Sequence, residues 1–275
     1  LSLRPMRTWL SFNFYPLETQ DVFLQRALRP FLAQYIWPTK GAHAFFIRYD
    51  DEKGPHIRLR LQGEPAWLED TLRPALAGWF LERGEWLESA YEPEPERFGG
   101  ADSLILAEEY FHFSTRIILD RLAREPRTHG DTLFDALRLH LLTAMGAGMI
   151  REKAAWYFGK LCQQWLPVFF RPTDGQPLDE ILKTEILAKF ESSLAPQRTA
   201  LQSALQELWT AAGDSKFDDT QPEWRRWLRG NELILKEFGG QLDKALPSLL
   251  HLTNNRLGVN NQDEVFLCYV LANTL

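Results

Sequence analysis

Three basic residues alternate with apolar residues in the stretch HIRLRL at positions 56–61. Successive side chains of a β-strand point to opposite faces, so the apolar residues can enter a core together. The other face then carries His56, Arg58 and Arg60 within roughly 14 Å of one another. Arginine donates two parallel hydrogen bonds to a carboxylate or phosphate, which favours an anion site. A hairpin face in contact with water gives the same pattern, so both interpretations stay open.

The strand that precedes this stretch carries a further arginine. The residues AFFIRY at 44–49 are typical of a strand, and they are followed by DDEKGP, whose glycine and proline favour a turn. We therefore expect two strands joined by this turn, one with Arg48 and the other with Arg58 and Arg60.

The segment YEPEPERFGG at 91–100 combines an acid and a base with special backbone chemistry. Its prolines disfavour a central strand or a helix interior, so we expect a stiff extended loop. Glu94 and Arg97 lie three residues apart within it. Gly99 and Gly100 permit unusual backbone angles before a helix start, where an anion can bind. A loop that only caps the following helix is the alternative.

A histidine near the end of the chain has several polar neighbours. His251 follows an apolar run and precedes Asn254, Asn255 and Arg256. We expect it at a helix end beside an asparagine-rich turn, since a cation suits a helix C-terminus. Histidine titrates near neutral pH, which makes it the usual general acid or base. Capping of the helix is the alternative role.

Another histidine lies in the stretch AEEYFHFSTR at 107–116. Glu108 and His112 are four residues apart, so they share one face of a helix. A helical metal motif needs a second histidine one turn away, and the stretch has none. We expect an ordinary side-chain pair here and no metal site.

Strands and helices must position these residues. Alternating patterns predict strands over 8–15, 44–49, 56–61 and 85–92, and spacings of three and four predict helices over 19–36 and 65–82. After residue 100 the pattern is helical, and it predicts helices over 102–125, 130–147, 148–166, 177–192, 195–212, 221–239 and 260–274. A small, mostly antiparallel sheet within about 1–100 needs cover, which the helices of about 101–275 can supply. We therefore predict one α+β domain over 1–275.

Composition and charge exclude several classes of protein. The 275 residues carry a net charge of −6 and are 45% hydrophobic, which predicts a soluble chain with a substantial core. This charge gives no overall attraction to nucleic acid or to an anionic membrane. Cys162 and Cys268 lie in apolar helical patterns without CxxC spacing, which indicates a reduced, cytoplasmic protein. The sequence lacks GxSxG, GxGxxG and P-loop motifs.

Taken in order, the motifs resemble those of one family. They are W-x-S-x-x-x-Y at 9–15, D-x-F-L at 21–24, F-F-I-R-Y, H-I-R-L-R, Y-E-P-E-x-x-R-F-G-G, A-E-x-x-F-x-x-S at 107–114 and H-x-x-x-N-R-L-G at 251–258. The ordered set resembles the C-terminal domain of class I lantibiotic dehydratases, which also occurs as the free-standing thiopeptide-type bacteriocin biosynthesis domain. The resemblance covers nearly the whole chain.

This resemblance implies a lyase that works without a cofactor. It would eliminate glutamate from glutamylated Ser or Thr of a ribosomally made precursor peptide and leave dehydroalanine or dehydrobutyrine. Arginines suit the developing enolate and the glutamyl carboxylates, and a histidine suits either the base or the acid. By motif, the residues implied for catalysis are Arg58, Arg60, Glu94, Arg97 and His251. Further substrate contacts are expected from Arg48, Ser114, Asn255 and Arg256.

The same resemblance implies the partners. The chain has no room for a glutamylation domain, so we expect a separate tRNA-dependent glutamylation enzyme besides the precursor peptide with its leader and glutamylated core. No direct contact with nucleic acid or membrane is expected, and a homodimer is compatible with the sequence. Two alternatives stay open. One is a pyridine synthase that joins two dehydroalanines of a thiopeptide by a formal aza-[4+2] cycloaddition, and the other is a non-catalytic peptide-binding subunit of a modification complex.

Overall fold

The computed structural model of the chain describes residues 8–124, 127–172, 176–214, 217 and 222–275. They divide into two compact units. Unit 1 takes the described residues up to 124 together with Gly240–Arg256, and unit 2 takes those of Arg127–Gly239 and Leu257–Leu275. The predicted α+β class is confirmed, because unit 1 contains a sheet and both units contain helices. One domain over 1–275 stays a prediction.

Unit 1 contains a four-stranded antiparallel sheet with the strand order β2-β3-β1-β4. Its strands are β1 (Thr8–Pro16), β2 (His43–Asp51), β3 (Gly54–Gly63) and β4 (Gly84–Glu88). The strands predicted over 8–15, 44–49 and 56–61 are confirmed. The strand predicted over 85–92 ends at Glu88, because the chain leaves the sheet after the Ser89 N–H donates to the Ser11 carbonyl (2.9 Å).

Twelve α-helices occur in the described part of the chain. In chain order they are α1 (Gln20–Phe23), α2 (Arg29–Tyr35), α3 (Pro65–Trp67), α4 (Arg73–Phe80), α5 (Ala101–Leu122), α6 (His129–Gly146), α7 (Arg151–Phe169), α8 (Glu180–Leu194), α9 (Arg198–Gly213), α10 (Pro222–Leu235), α11 (Leu242–Leu257) and α12 (Asn261–Thr274). The seven helices predicted after residue 100 correspond to α5–α10 and α12. The predicted end at 125 and the predicted start at 221 lie outside the described residues.

The two helices predicted before residue 100 are each continuous but contain a wider turn. π-Helical turns at Leu24–Leu28 and Leu68–Leu72 join α1 to α2 and α3 to α4. Each turn ends two residues before a proline, Pro30 or Pro74. Proline cannot donate the helical hydrogen bond and clashes with the carbonyl four residues earlier, and a local π turn relieves this conflict.

The apolar face of the sheet is buried beneath these helices. Apolar residues of β1 and β3 lie opposite one another in the pairs Leu10–Leu61, Phe12–Leu59 and Phe14–Ile57. Phe14 stacks on Phe23 with ring centroids 4.5 Å apart and contacts Phe80 at 5.0 Å. Each such side chain contributes about 1.5–3 kcal/mol by leaving water. The apolar residues of HIRLRL therefore enter the core, as their alternation predicts.

Helix α11 was not among the predicted helices, and His251 does not lie at a helix end, so that expectation is wrong. The helix continues past His251 to Leu257 and stops before Gly258, whose φ of +92° is the left-handed conformation typical of a helix C-terminus. Asparagines favour turns because their side chains bond the local backbone. Here the Asn255 amide instead bonds the backbone of β2, so tertiary structure overrides the local preference.

Side chains from α5 and α11 complete the outer edge of β2. The Ala44 N–H donates to His112 Nδ1 (3.0 Å), and Arg256 Nε donates to the Phe46 carbonyl (3.0 Å). Asn255 donates to the Arg48 carbonyl and accepts from the Arg48 N–H, both at 2.9 Å. Alternate residues of an edge strand direct their backbone groups outward, so this edge cannot pair with another strand.

Unit 2 consists of helices α6–α10 and α12. Trp227 of α10 is fully buried, and its indole N–H donates to the Leu139 carbonyl (2.9 Å) and to Thr143 Oγ1 (3.0 Å) of α6. A buried tryptophan needs such an acceptor, because an unsatisfied N–H in an apolar environment is costly. This contact fixes the spacing of α6 and α10.

Candidate active site

Strand β3 holds Arg58 and Arg60 at the centre of the sheet. Arg58 lies opposite Asn13 of β1 and Ile47 of β2, and Arg60 lies opposite Ser11 and Phe45. Because β3 is hydrogen-bonded on both sides, the Cα positions of both arginines are fixed by the sheet. We call Arg58 and Arg60 the arginine pair, and the sheet face that carries them the arginine face.

Arg60 is almost completely buried. Its side chain is 8% exposed, and Nη1 donates to the carbonyl oxygens of Phe12 and Leu59, both at 3.2 Å. Burial, assisted by the nearby charge of Arg58, lowers the pKa of Arg60 to about 10. The guanidinium therefore remains positively charged at pH 7.

Arg58 is held by an aromatic ring. Its guanidinium carbon lies 3.3 Å from the ring centroid of Tyr49, in a cation–π contact. Its Nε is buried and has no hydrogen-bond partner among the described residues. The His56 side chain beside it is fully buried, with its ring 4.6 Å from that of Tyr15, and supports the strand rather than facing solvent.

The arginine pair has no carboxylate partner within the described ranges, in contrast to three other arginines of unit 1. Arg48 pairs with Asp21 at 2.6 Å, Arg73 with Glu69 and Glu88, and Arg97 with Glu94 at 2.7 Å. Two neighbouring cations without a counter-ion repel each other and are costly to bury. An anion that binds between them recovers this free energy, so the arrangement suits a negatively charged ligand.

Tyr91 and Glu108 form a hydrogen-bonded pair near Arg60. The Tyr91 hydroxyl donates to Glu108 Oε1 (2.9 Å), and the tyrosine ring packs against Trp9 with centroids 4.7 Å apart. Burial, followed by the negative charge of Glu108, raises the pKa of Tyr91 well above its ordinary value, while Arg60 acts in the opposite direction. The phenol therefore stays protonated at pH 7.

Tyr91 was not among the predicted site residues. It is the first residue of the motif Y-E-P-E-x-x-R-F-G-G, and Glu108 belongs to A-E-x-x-F-x-x-S. The two residues are 17 positions apart, so no local spacing rule predicts their contact. The only indication in the sequence that the two residues matter was that each belongs to one of the motifs.

Glu94 and Arg97 form an ion pair at 2.7 Å in which both side chains are largely exposed. The segment is not the fully extended loop that its prolines predict, because Pro95–Phe98 forms one 3-10 turn. Gly99 follows with φ +100°, and a Cβ on it would lie 2.5 Å from Gln241 Oε1. This close approach places the 3-10 turn beside the residues that lead into α11.

His251 is half-buried on α11, one turn before Asn255. The contacts thus sort the predicted residues into the arginine pair, the Glu94–Arg97 ion pair, and a third group on or beside α11. Catalytic roles for Arg58, Arg60, Glu94, Arg97 and His251 stay predictions.

The residues expected to contact substrate form a structural cluster instead. Arg256 is fully buried and donates from Nη1 to Ser114 Oγ (3.2 Å), and Ser114 donates to the Phe111 carbonyl (3.1 Å). Arg48 donates from Nε to the Arg256 carbonyl (3.1 Å), and Asn255 bonds the Arg48 backbone. These contacts favour a structural role for all four, and their contact with substrate stays a prediction.

The described residues hold neither a metal-binding cluster nor a membrane-spanning helix. The described part of the chain contains no group of three or more His, Cys, Asp or Glu side chains arranged to hold a metal ion. Glu108 and His112 have other partners, since Glu108 accepts from Tyr91 and His112 bonds the Ala44 backbone. Within the described ranges, no helix has the length and apolarity needed to cross a membrane.

Fold and site together define an α+β protein with an uncompensated arginine pair on its sheet. A family model described as "Lantibiotic biosynthesis dehydratase C-term" matches residues 9–275. The chain belongs to this family, as the motifs predict.

Two curated relatives are similar to part of the chain. The nisin biosynthesis protein NisB of Lactococcus lactis subsp. lactis is 31% identical over 137 residues, which are 48% of this chain and 13% of NisB. The subtilin biosynthesis protein SpaB of Bacillus subtilis is 33% identical over 121 residues, which are 42% of this chain and 12% of SpaB. The chain therefore spans only a small fraction of each relative.

Solved structures share the fold over nearly the whole chain. The pyridine synthase TbtD from thiomuracin biosynthesis has a TM-score of 0.74 at 18% identity and matches over 97% of both chains. The tRNA-dependent lantibiotic dehydratase MibB from Microbispora sp. 107891 has a TM-score of 0.64 at 20% identity, over 97% of this chain and 28% of MibB. At these identities the likeness establishes the fold.

Proposed function

We propose that this chain eliminates glutamate from glutamylated Ser or Thr residues of a ribosomally made precursor peptide. A base removes the Cα proton, the Cα–Cβ double bond forms, and the Cβ–O ester bond breaks as glutamate leaves. The products are a dehydroalanine or dehydrobutyrine residue and free glutamate. The observation that carries the proposal is the arginine pair, which holds two positive charges without a carboxylate partner among the described residues.

Negative charge develops at two places in this reaction. The enolate forms on the peptide carbonyl next to Cα, and a carboxylate forms on the departing glutamate. Arg58 and Arg60 can stabilise either charge, and fixed donors aimed at developing charge need no reorganisation during the reaction. Tyr91 is a protonated phenol engaged with Glu108, so it shapes the site and is not the base.

The relatives support this activity. NisB and SpaB are biosynthesis proteins of nisin and subtilin, and MibB is a tRNA-dependent lantibiotic dehydratase. The precursor peptide and a separate glutamylating enzyme are the partners we propose, and we propose a cytoplasmic location.

A second candidate is pyridine formation from two dehydroalanines of a thiopeptide. The observation that favours it is the likeness to TbtD, which covers 97% of both chains. We prefer elimination because the arginine pair provides for a charged leaving group, and the cycloaddition releases no carboxylate. A peptide-binding subunit without catalysis is the third alternative.

Mass spectrometry separates these functions. The protein is incubated with a glutamylated precursor peptide and, separately, with the multiply dehydrated form of the same peptide. Loss of glutamate with appearance of the dehydro residue supports elimination. An untouched glutamylated peptide, together with a dehydrated peptide that loses water and its leader, would establish the cyclase. Binding of the peptide without any change of its mass would support the peptide-binding subunit without catalysis.

Replacing His251 by alanine should slow elimination about 10²-fold, because a positioned general acid or base contributes at least this much. The glutamylated peptide should accumulate in the mass spectra. His129→Ala is the matched control, since His129 is largely exposed on α6 and pairs with Asp263. If the His251→Ala variant turns over the peptide as fast as the His129→Ala variant, His251 has no role in the reaction.

A further inference from the structure

Tyr49 lies beside the arginine pair on an exposed part of the sheet. It is opposite His56 in the register of β2 and β3, so it shares the arginine face with Arg58. Diagonal neighbours on adjacent strands are within reach of aromatic and long side chains. Tyr49 lies near the end of the edge strand β2 and is 43% exposed.

The ring is the main contact that orients Arg58. The guanidinium carbon lies 3.3 Å from the ring centroid, whereas Nε is buried without a hydrogen-bond partner in the described part of the chain. Arg58 also makes no ion pair within those residues, so no carboxylate fixes its direction. A flexible arginine side chain loses considerable rotamer freedom when it is ordered, and the stacking contact offsets this cost.

Nearby acidic side chains are engaged with other partners. Asp51 accepts from the Tyr15 hydroxyl (2.9 Å) and from the Lys53 N–H (3.0 Å). Glu85 is paired with Lys53 at 2.5 Å. Asp51 and Glu85 thus have partners other than Arg58, whose charge stays available to a ligand.

We infer that Tyr49 is a positioning residue, whose ring holds the Arg58 guanidinium beside Arg60 so that the two can bind one anionic group. The inference rests on the proposed function and adds to it a residue outside the predicted site. The position of the guanidinium depends on the face of the ring and does not require the hydroxyl. Tyr49 acts through Arg58 and makes no bond to the reacting atoms.

Two substitutions separate the contribution of the Tyr49 ring from that of its hydroxyl. Tyr49→Ala should lower kcat/KM for elimination about tenfold, which corresponds to a cation–π contact of about 1.4 kcal/mol. Tyr49→Phe keeps the ring face and should retain the activity of the unaltered protein. Both variants should melt within a few degrees of that protein, because the side chain is 43% exposed and the contact that alanine removes is small.

A double-mutant cycle tests whether the effect passes through Arg58. In an Arg58→Ala background, Tyr49→Ala should cause no further loss, whereas in an Arg26→Ala background it should cause the full tenfold loss. Arg26 is exposed on the π turn between α1 and α2. An equal loss in both backgrounds would overturn the inference, as would a Tyr49→Phe variant as slow as Tyr49→Ala.

A spectroscopic measurement keeps this test independent of turnover. Because the Arg58 guanidinium carbon lies 3.3 Å from the Tyr49 ring centroid, ring current should shift the NMR signals of the adjacent δ and ε protons upfield. Tyr49→Ala should abolish the shift and Tyr49→Phe should keep it. If these shifts behave as expected while glutamylated peptide is not processed, the proposed function fails and the positioning role stands. Unshifted signals in the unaltered protein would refute the positioning role itself.

Discussion

Replacing Arg60 by methionine should slow glutamate elimination about 10³-fold, the upper range for loss of one preorganised charge donor. Methionine keeps the packing volume of the arginine stem and removes only the guanidinium. Arg60 is 8% exposed and has no carboxylate partner in the described part of the chain, so its charge is available to the leaving group. Glutamylated peptide should accumulate, which mass spectrometry detects directly.

The same substitution should leave the protein at least as stable as before. A buried cation without a counter-ion is unfavourable for folding, and an apolar side chain of similar volume is often neutral or stabilising in its place. We therefore expect the urea midpoint to stay constant or to rise. A residue whose removal costs activity but not stability is typical of a functional site.

Two controls make this result specific. Arg26→Met removes an exposed arginine and should change neither rate nor stability. Arg60→Lys keeps the charge but loses the planar fork, so its rate should fall between those of the unaltered protein and Arg60→Met. If Arg60→Met processes the peptide at the rate of Arg26→Met, the arginine pair does not carry the reaction.

The pattern of HIRLRL predicts a large part of the candidate site. A period of two places Arg58 and Arg60 on one face regardless of which strands flank β3, and this is what the register shows. The pattern does not reveal that Arg60 is buried, because burial depends on which other parts of unit 1 pack over the arginine face. Tyr49 and Tyr91 escape prediction for the same reason, since their contacts cross between strands or join separate segments.

The motif H-x-x-x-N-R-L-G shows the opposite limit. Its polar residues have the chemistry of a binding site, and the sequence suggests a turn. In the structure Asn255 and Arg256 both bond the edge of β2. Asn255 bonds the backbone of Arg48, 207 positions away in the chain, and Arg256 bonds that of Phe46, 210 positions away. The motif alone does not tell whether its polar residues serve folding or chemistry. Their contacts in the tertiary structure make this distinction.

The fold of the second half is more predictable than its function. Apolar spacing alone places α6–α10 and α12, because amphipathic helices carry their signal locally. Unit 2 contributes none of the predicted site residues, since all nine lie in unit 1. Variants on α6 or α10 that leave unit 2 folded therefore provide a source of further controls.

Replacing Arg256 by alanine should lower the free energy of unfolding by about 3–5 kcal/mol, because a large, fully buried side chain is cut back to alanine and its hydrogen bonds are lost. Arg256 is fully buried, with Nε donating to the Phe46 carbonyl and Nη1 to Ser114 Oγ and the Leu252 carbonyl. Its guanidinium carbon also lies 4.8 Å from the Phe111 ring centroid. The substitution removes these contacts and leaves both a cavity and unsatisfied acceptors.

The edge of β2 explains why so large an effect is expected at a single residue. Arg256 and Asn255 join α11 to the outer backbone groups of β2, so loss of one contact frees the strand edge as well as the helix. Asn255→Ala should be destabilising in the same direction but by less, about 2 kcal/mol, because it removes two neutral hydrogen bonds. Urea unfolding followed by circular dichroism measures both changes.

Arg60 and Arg256, both buried in unit 1, thus have opposite expected phenotypes. Arg60→Met should lose turnover and keep its urea midpoint, whereas Arg256→Ala should lose stability and, at temperatures where it remains folded, keep most of its turnover. An Arg256→Ala protein that unfolds at the midpoint of the unaltered protein but no longer processes peptide would reverse this assignment. Arg256 would then contact the substrate, as the motif alone suggests, and the edge of β2 would not depend on it.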